Sequence, residues 1–328
     1  MPEALVEVSR LKKYFPIKKG VTRRTVGHVK AVDGISFTIP QGKVMGLVGE
    51  SGCGKSTVGR TILRLLPPTE GSVRFAGSEI STLNKRELNR LRTKMQIIFQ
   101  DPYSSLNPRL PVAEIVGEAM LQHGIVKSKR EMRDSVIDII GKCGLFPEQA
   151  WRYPHQFSGG QRQRICIARA LAVSPEFIVC DEAVSALDVS IQSQIINLLK
   201  DMQQEMNLTY LFISHDLSVV KFISDEVGVM YLGQLVEVGP KTRLFENPLH
   251  PYTEALLAAA PTFDPEVNRA RKRVLLEGDI PSPSNPPPGC RFHTRCIYCE
   301  DVCRAIDPEL SEVETGHFVK CHRLKKED

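Results

Sequence analysis

The sequence has no run of about 18 apolar residues, the length that a membrane-spanning helix requires, so we expect no such helix. Residues 1–10 lack a basic start followed by an apolar stretch, and this predicts no secretory signal there. Basic residues do cluster near the start, at Lys12, Lys13, Lys18, Lys19, Arg23 and Arg24. No basic stripe interleaved with aromatic residues accompanies them, and this favours a solvated surface over a nucleic-acid site.

Length and composition allow one large domain or two modest ones. The chain has 328 residues, of which 42% are apolar and 25% charged, and these proportions are ordinary for a globular protein with a core of normal size. The sequence contains no internal repeat. Its character changes near Ala260, and a proline-rich stretch at 281–288 then leads into a cysteine-rich tail. We therefore predict domains at 1–260 and 261–328.

Apolar runs alternate with segments of helical periodicity over the first domain. Two β-rich stretches, 4–8 and 29–39, precede buried strands that we predict at 44–48, 95–99, 177–180 and 208–213. Helices are predicted at 56–66, at 111–143, after Gly159-Gly160 and around Ile191–Met202. Strands that alternate with helices predict an α/β fold with a parallel sheet covered on both faces.

A glycine-rich loop lies between the first buried strand and the helix that follows it. Its residues match G-x-x-x-x-G-K-[ST] and are Gly49, Glu50, Ser51, Gly52, Cys53, Gly54, Lys55 and Ser56. The glycines let successive N–H groups face one anion, and the helix N-terminus adds its dipole. We expect Lys55 to reach the β- and γ-phosphates, the Ser56 hydroxyl to ligate Mg²⁺ and Thr57 to bind the α-phosphate. The alternative is a glycine-rich turn with a chance lysine, which the strand and helix on either side disfavour.

Two carboxylates, Asp181 and Glu182, follow the predicted strand 177–180. Ligands bind at this end of the strands in open α/β sheets. Asp181 could hold Mg²⁺ through water, and Glu182 could polarise the attacking water as a general base. The pattern alone is weak because acidic residues often end strands and cap helices. A phosphate loop in the same chain makes the functional interpretation stronger.

Five further elements select one family. Phe157-Ser158-Gly159-Gly160-Gln161 resembles the ABC signature motif, with Phe in place of the usual Leu. Gln100 resembles the Q-loop glutamine, Ser185 to Asp188 the D-loop, and His215 the switch histidine. Tyr14 resembles the aromatic residue that stacks on adenine, with Phe15 as a close rival. Residues 1–260 therefore resemble ABC nucleotide-binding domains in the order of their motifs as well as in the motifs themselves.

This resemblance implies a fold, a reaction and ligands. The fold would be a P-loop NTPase (RecA-like) domain with an N-terminal β-subdomain and a helical subdomain inserted at about 101–160. The reaction would be ATP hydrolysis with Lys55, Gln100, Glu182 and His215 in catalytic roles. Mg²⁺ would be held by Ser56, Gln100 and Asp181. ATP would contact Tyr14, residues 49–57, Gln100 and Asp181, and on the partner chain Ser158, Gly159, Gly160, Gln161 and Asp188.

A finer resemblance is to the oligopeptide/dipeptide importer ATPases, and it is closest to their "F-type" subunit. The segments that resemble this family are 99–108, 152–155, 247–253 and 286–293. Two residues depart from the family's pattern: Ala183 stands where Pro is usual, and Gln156 stands where Glu is usual. It implies a head-to-tail dimer with a sister ATPase, although a homodimer stays open. It also implies two permease subunits, an extracytoplasmic solute-binding protein as an indirect partner, no nucleic acid, and a peripheral place on the cytoplasmic face of the inner membrane. An importer for nickel or another small solute and a soluble non-transport ABC ATPase are the alternatives.

Five of the nine cysteines crowd the tail, at Cys290, Cys296, Cys299, Cys303 and Cys321. Four thiolates suit an iron–sulfur cluster or Zn²⁺, and the Cys296-x2-Cys299 pair also suits Zn²⁺. The family resemblance implies a [4Fe–4S] cluster on Cys290, Cys296, Cys303 and Cys321. Zinc and free thiols stay as alternatives. Because the tail is predicted to be a separate domain, we expect ATP hydrolysis to survive in part when these cysteines are replaced.

Overall fold

A computed structural model describes residues 4–20, 23–259 and 278–325. The chain divides into two compact units. We call one the signature unit, which comprises Met1–Leu5, Ile39–Lys43 and Thr82–Ile213. We call the other the phosphate-loop unit, which comprises Val6–Thr38, Val44–Ser81 and Ser214–Asp328. No helix in the described residues combines the length and the apolar character needed to cross a membrane.

The first sheet of the phosphate-loop unit has four strands, in the order β2-β1-β4-β5. Their bounds are β1 Ala4–Lys19, β2 Arg24–Pro40, β4 Glu70–Phe75 and β5 Ser78–Glu79. β1 and β4 are antiparallel, with Val6 opposite Phe75 and Val8 opposite Val73. All four of these side chains are buried, because residues two apart on a strand share one face. The β-rich start predicted from the sequence is confirmed.

The second set of strands in this unit runs in the order β11-β12-β10-β9-β3. Their bounds are β3 Val44–Val48, β9 Glu226–Tyr231, β10 Gln234–Pro240, β11 Ser311–Glu314 and β12 His317–Val319. β3 and β9 are parallel, as in the predicted type of sheet, although no strand was predicted at the position of β9. β10 pairs antiparallel with β9 and β12, so the sheet is mixed, which the sequence did not predict.

The described residues of the phosphate-loop unit form five helices. They are α1 Lys55–Ile62, α7 Leu217–Ile223, α8 Lys241–Glu246, α9 Pro251–Ala259 and α10 Asp301–Ala305. The first was predicted to extend to residue 66. It ends at Ile62 because Arg64 adopts a left-handed backbone, with φ at 53°, which an α-helix cannot continue through.

In the signature unit, β6 Met95–Ile98, β7 Phe177–Asp181 and β8 Thr209–Ile213 are parallel neighbours. Its helices are α2 Lys85–Leu91, α3 Val112–Gln122, α4 Lys129–Lys142, α5 Gly159–Leu171 and α6 Val189–Met206. The predicted helix 111–143 is thus two helices. The break has a local cause: Gly124 adopts a φ of 68°, and the Ser128 hydroxyl caps α4 by accepting the N–H of Glu131 at 3.2 Å.

A buried carboxylate joins the tail to the rest of the phosphate-loop unit. Glu237 on β10 is fully buried, and its oxygens lie 2.8 Å from Nε2 of His317 on β12 and accept the N–H groups of Leu249 and His250. Burial acts to raise the pKa of Glu237, but these hydrogen bonds outweigh it and the pKa is lowered. The predicted domain boundary at 260/261 lies outside the described residues and stays a prediction.

Candidate nucleotide site

The glycine-rich loop bends between β3 and α1 as the sequence predicted. Gly54 has a φ of 109°, and a Cβ there would lie 2.0 Å from the carbonyl oxygen of Ala31, so the loop tolerates no side chain at this position. Lys55 begins α1 and is buried, and its Nζ donates to the carbonyls of Gly49 at 2.8 Å and Glu50 at 3.1 Å. The lysine ammonium therefore lies inside the curve of the loop, where phosphate oxygens are expected to bind.

Other residues of the loop have different environments. Ser51 and Gly52 are exposed, whereas Cys53 is buried. Ser56 and Thr57 lie half-buried in the first turn of α1. That turn carries N–H groups without intrahelical partners, so its position suits both predicted hydroxyl roles.

Two residues that sequence reasoning missed hold the loop: Arg295 of the tail and Tyr252 of α9. The Glu50 carboxylate accepts two hydrogen bonds from Arg295, at 2.7 and 3.1 Å, and the Glu50 N–H donates to the Tyr252 hydroxyl at 2.9 Å. The Arg295 side chain is 6% exposed, and the hydrogen bond to Glu50 is the main reason that its pKa is raised. Tyr252 lies in a motif of the family resemblance, but the sequence did not indicate that either residue contacts the loop.

Tyr14, predicted to stack on adenine, is fixed through its hydroxyl, which donates to the Asp33 carboxylate. Burial acts to raise the pKa of Asp33, but the Tyr14 hydrogen bond and the Arg291 charge outweigh it and lower that pKa. The rival Phe15 is 36% exposed. A lysine ammonium lies near each ring, 5.9 Å from the Tyr14 centroid and 5.1 Å from the Phe15 centroid, so the choice between the rings stays a prediction.

Gln100 and Glu182, both predicted catalytic residues, are hydrogen-bonded to each other in the signature unit. Gln100 Nε2 donates to Glu182 Oε2 at 2.9 Å. They meet because β6 and β7 are adjacent and parallel, with Ile98 opposite Cys180, and each residue follows the end of its strand. Glu182 has a φ of 52°, and its N–H donates to the carbonyl of Ile213 at 3.0 Å. This is a backbone conformation that non-glycine residues adopt mainly at turns and functional sites.

The predicted magnesium ligands include one buried carboxylate, that of Asp181. Asp181 ends β7 and is 2% exposed. Across the described ranges 4–20, 23–259 and 278–325, no group of three or more His, Cys, Asp or Glu side chains is arranged to hold a metal ion. The assignment of Ser56, Gln100 and Asp181 to Mg²⁺ therefore stays a prediction.

The signature residues form the start of α5. The Ser158 hydroxyl accepts the N–H of Gln161 at 3.3 Å, and the Gln161 side chain accepts the N–H of Ser158 at 3.1 Å, which is a capping box. A Cβ on Gly160 would lie 2.4 Å from Cγ2 of Ile191, so only glycine allows this packing. Phe157 is buried and anchors the turn as expected. The first N–H groups of the helix and its dipole make this end a suitable anion site.

Asp188 and His215 occupy positions that fit structural as well as functional roles. The Asp188 side chain caps α6 by accepting the N–H of Ile191 at 3.0 Å. His215 belongs to the phosphate-loop unit, lies two residues after β8 and is exposed. Their predicted contacts with ATP stay predictions.

Four tail cysteines line one cavity of the phosphate-loop unit. They are Cys290, Cys296, Cys303 and Cys321. Cys299 is not among the residues that line it. Burial and, after it, the neighbouring thiols raise the pKa of Cys290 to about 12 and that of Cys296 to about 11. The four thiols that the family resemblance singled out therefore line one cavity, although the described residues contain no group of side chains arranged to hold a metal ion.

The signature unit carries a groove on its surface. It has a volume of about 370 Å³ and is lined by residues of α3, α4 and the turn at Trp151. Trp151 is 49% exposed, and the Arg133 guanidinium lies 5.4 Å from its ring centroid. Glu114, Glu118 and Lys129 add charge to the lining. An exposed aromatic beside a charged groove is typical of protein-binding surfaces.

Two regions of this chain match known protein families. Residues 32–185 match the family described as ABC transporter, and residues 236–303 match the oligopeptide/dipeptide transporter C-terminal region. An oligopeptide transport ATP-binding protein of Bacillus subtilis, AppF, is 53% identical over 98% of this chain and 97% of its own. A probable peptide ABC transporter ATP-binding protein of Sinorhizobium fredii is 52% identical over 98% of this chain and 90% of its own.

Solved structures agree with the fold. A dimeric ATP-binding cassette in a post-hydrolysis state with ADP and Pi has a TM-score of 0.64 and 28% identity, covering 72% of this chain and 98% of its own. The protein cbiO1 of Clostridium perfringens has a TM-score of 0.64 and 27% identity, covering 75% and 92%. The predicted α/β ATPase fold is thereby confirmed. The chain therefore belongs to the family of ATP-binding subunits of ABC transporters, and it carries the C-terminal region of the oligopeptide/dipeptide transporters.

Proposed function

We propose that this chain hydrolyses ATP to drive an importer of di- or oligopeptides. The peptide substrate is supported by relatives named for oligopeptide and peptide transport that match nearly the whole chain, tail included. The hydrogen bond between Gln100 and Glu182 carries the assignment of hydrolysis, because it holds a carboxylate and an amide together after two adjacent strands. A general base of this kind needs such a fixed position.

Each motif then has a role. Lys55 binds the β- and γ-phosphates. Ser56, Gln100 and Asp181 would hold Mg²⁺, which would neutralise charge on the phosphates. Glu182 accepts a proton from the attacking water, and Gln100 and His215 orient the water and the γ-phosphate. The α5 N-terminus, at Ser158 to Gln161, binds the ATP held by a partner ATPase. Two chains therefore complete two sites, and we propose a sister subunit rather than a second copy as the partner.

The groove around Trp151 is the surface that we propose for a permease subunit. Its exposed aromatic, with charged residues beside it, suits the short polar segment that a membrane protein presents to a peripheral partner. We propose that this interaction keeps the chain on the cytoplasmic face of the inner membrane, with a solute-binding protein as its indirect partner on the other side.

A [4Fe–4S] cluster is our proposal for the cavity of four cysteines. Cys290, Cys296, Cys303 and Cys321 supply the four thiolates that such a cluster takes, and the exclusion of Cys299 from the cavity agrees with that count. A bound cluster would lower the raised thiol pKa values, since a nearby cation favours the thiolate, and would stabilise a tail that is poor in apolar residues.

Membrane subunits and solute can be identified together. Tagged protein from a detergent-solubilised membrane should co-purify two permease subunits, and Trp151→Ala with Arg133→Ala should reduce their recovery. A strain that lacks the gene should lose uptake of a labelled pentapeptide and regain it with the parental gene. Normal peptide uptake together with lost uptake of labelled nickel would replace peptides by the metal. Recovery of no membrane subunit would favour a non-transport ATPase.

A further inference from the structure

We infer that Arg291 and Arg295 position the ATP site, so that the cysteine-bearing tail sets the affinity for ATP. The inference rests on the proposed function, since it requires ATP to bind at the phosphate loop. It concerns residues that make no predicted contact with the nucleotide and that act through Asp33 and Glu50.

Arg295 holds the phosphate-loop end of the site. Both of its terminal nitrogens donate to the Glu50 carboxylate, and its guanidinium lies 5.9 Å from the Tyr231 ring centroid. Glu50 is the second residue of the loop, and its carbonyl accepts a hydrogen bond from Lys55. A bidentate pair fixes distance and angle together. Movement of Arg295 would therefore move the backbone that surrounds Lys55.

Arg291 holds the end where adenine is expected to bind. It donates to the carbonyl of Leu232 and to the carboxylate of Asp33, which also accepts the Tyr14 hydroxyl. The Arg291 and Asp33 side chains are 8% and 13% exposed. The pair is thus largely shielded from water, and breaking it leaves a poorly solvated charge. The Tyr14 ring depends on this pair for its orientation.

Both arginines lie between Cys290 and Cys296, which line the cysteine cavity. Phe292, also buried, packs 5.3 Å centroid to centroid from the ring of Tyr252, whose hydroxyl accepts the Glu50 N–H. One short segment therefore contacts the cavity and both ends of the nucleotide site. Anything that keeps the four thiols together keeps the two arginines in place.

This arrangement predicts that the two arginines affect the binding of ATP and not the rate of its hydrolysis once bound. Arg295 bonds the phosphate loop at Glu50, whereas we propose that the water is activated by Glu182, which accepts a hydrogen bond from Gln100. Loss of Arg295 should therefore raise Kd and KM for ATP and leave kcat near its parental value at saturating ATP. A general loss of folding would instead lower the amount of active protein, and with it the apparent kcat.

The test uses full-length protein, equilibrium ATP binding and steady-state hydrolysis. Arg295→Gln should weaken ATP binding about tenfold, equivalent to about 1.4 kcal/mol, because two hydrogen bonds to a charged group are lost. Arg295→Lys, which keeps the charge and one bond, should fall between. Glu50→Gln should have a similar effect, and adding Arg295→Gln to it should change little more. Arg243→Gln removes an exposed ion pair to Glu314 in the same unit and should leave affinity unchanged.

The outcomes separate the inference from the proposed function. Unchanged ATP affinity in a folded Arg295→Gln variant, or a full further loss when it is added to Glu50→Gln, would overturn the inference alone. A fall in kcat with unchanged KM would also overturn it. A parent that binds no ATP would overturn the proposed function and the inference with it. Melting temperatures of all variants show which of them are folded.

Discussion

Replacing Glu182 by glutamine removes the carboxylate that we propose deprotonates the attacking water, and it keeps the shape of the side chain. The contacts that hold the residue survive this change. Its N–H still donates to the Ile213 carbonyl, its own carbonyl still accepts the Ser185 hydroxyl at 3.0 Å, and Gln100 can donate to the new amide oxygen. We expect kcat to fall about 10²- to 10⁴-fold, the usual contribution of a general base.

ATP binding should persist in the same variant, because Lys55 and the phosphate loop are unchanged. Slow turnover should then trap the closed dimer, so sedimentation with ATP and the sister subunit should give a heterodimer. The matched control is Glu176→Gln. Glu176 lies next to the other end of β7 and pairs with Lys94 at 2.8 Å, so it tests carboxylate loss near the same strand. Turnover of Glu182→Gln equal to that of this control, or a monomer at all concentrations with ATP and sister subunit present, would refute the reasoning.

Three other outcomes are expected. Tyr14→Ala should weaken ATP binding about three- to tenfold through lost stacking, and a silent Tyr14→Ala beside an impaired Phe15→Ala would show that Phe15 is the stacking ring. Protein purified without oxygen should be brown and contain iron and sulfide, and Cys296→Ser should bleach it while Cys299→Ser should not; one equivalent of zinc in colourless protein would reject the cluster. Glu237→Gln should lower the free energy of unfolding at pH 7 by about 1–3 kcal/mol. The folded pKa of Glu237 is lowered, so its carboxylate stabilises the fold above the unfolded pKa of about 4.3. Urea titrations should therefore show the full difference in unfolding free energy above that pH, and the difference should vanish as pH falls through the folded pKa. A difference that stays constant with pH would contradict this.

The sequence was sufficient for elements that depend on local pattern. Strand 44–48 was predicted as it occurs, whereas the hydrogen bond between Gln100 and Glu182 was not predicted and results from the adjacency of two parallel strands. Helix ends were less accurate, because the left-handed turn at Arg64 and the cap at Ser128 depend on single residues. A signal from one residue is too short to change the hydrophobic periodicity from which the helices were predicted.

Contacts between distant segments could not be predicted. Arg295 and Glu50 are 245 residues apart, and β10 pairs with β12, which lies about 80 residues further along the chain. Hydrophobic periodicity cannot link such positions, because these contacts form only when the tail packs against the rest of the phosphate-loop unit. We had expected hydrolysis to survive in part without the cysteines because the tail is a separate domain. The Glu50–Arg295 contact instead gives reason to expect weaker ATP binding when the tail is disturbed.

We propose that ATP hydrolysis by this chain drives peptide across a membrane. The most direct test is uptake of a labelled pentapeptide into proteoliposomes that contain the purified complex with its permease subunits, sister ATPase and solute-binding protein. We expect accumulation that requires ATP on the side of this subunit and that disappears with Glu182→Gln. Steady ATP hydrolysis without peptide accumulation, or equal accumulation with Glu182→Gln, would contradict it.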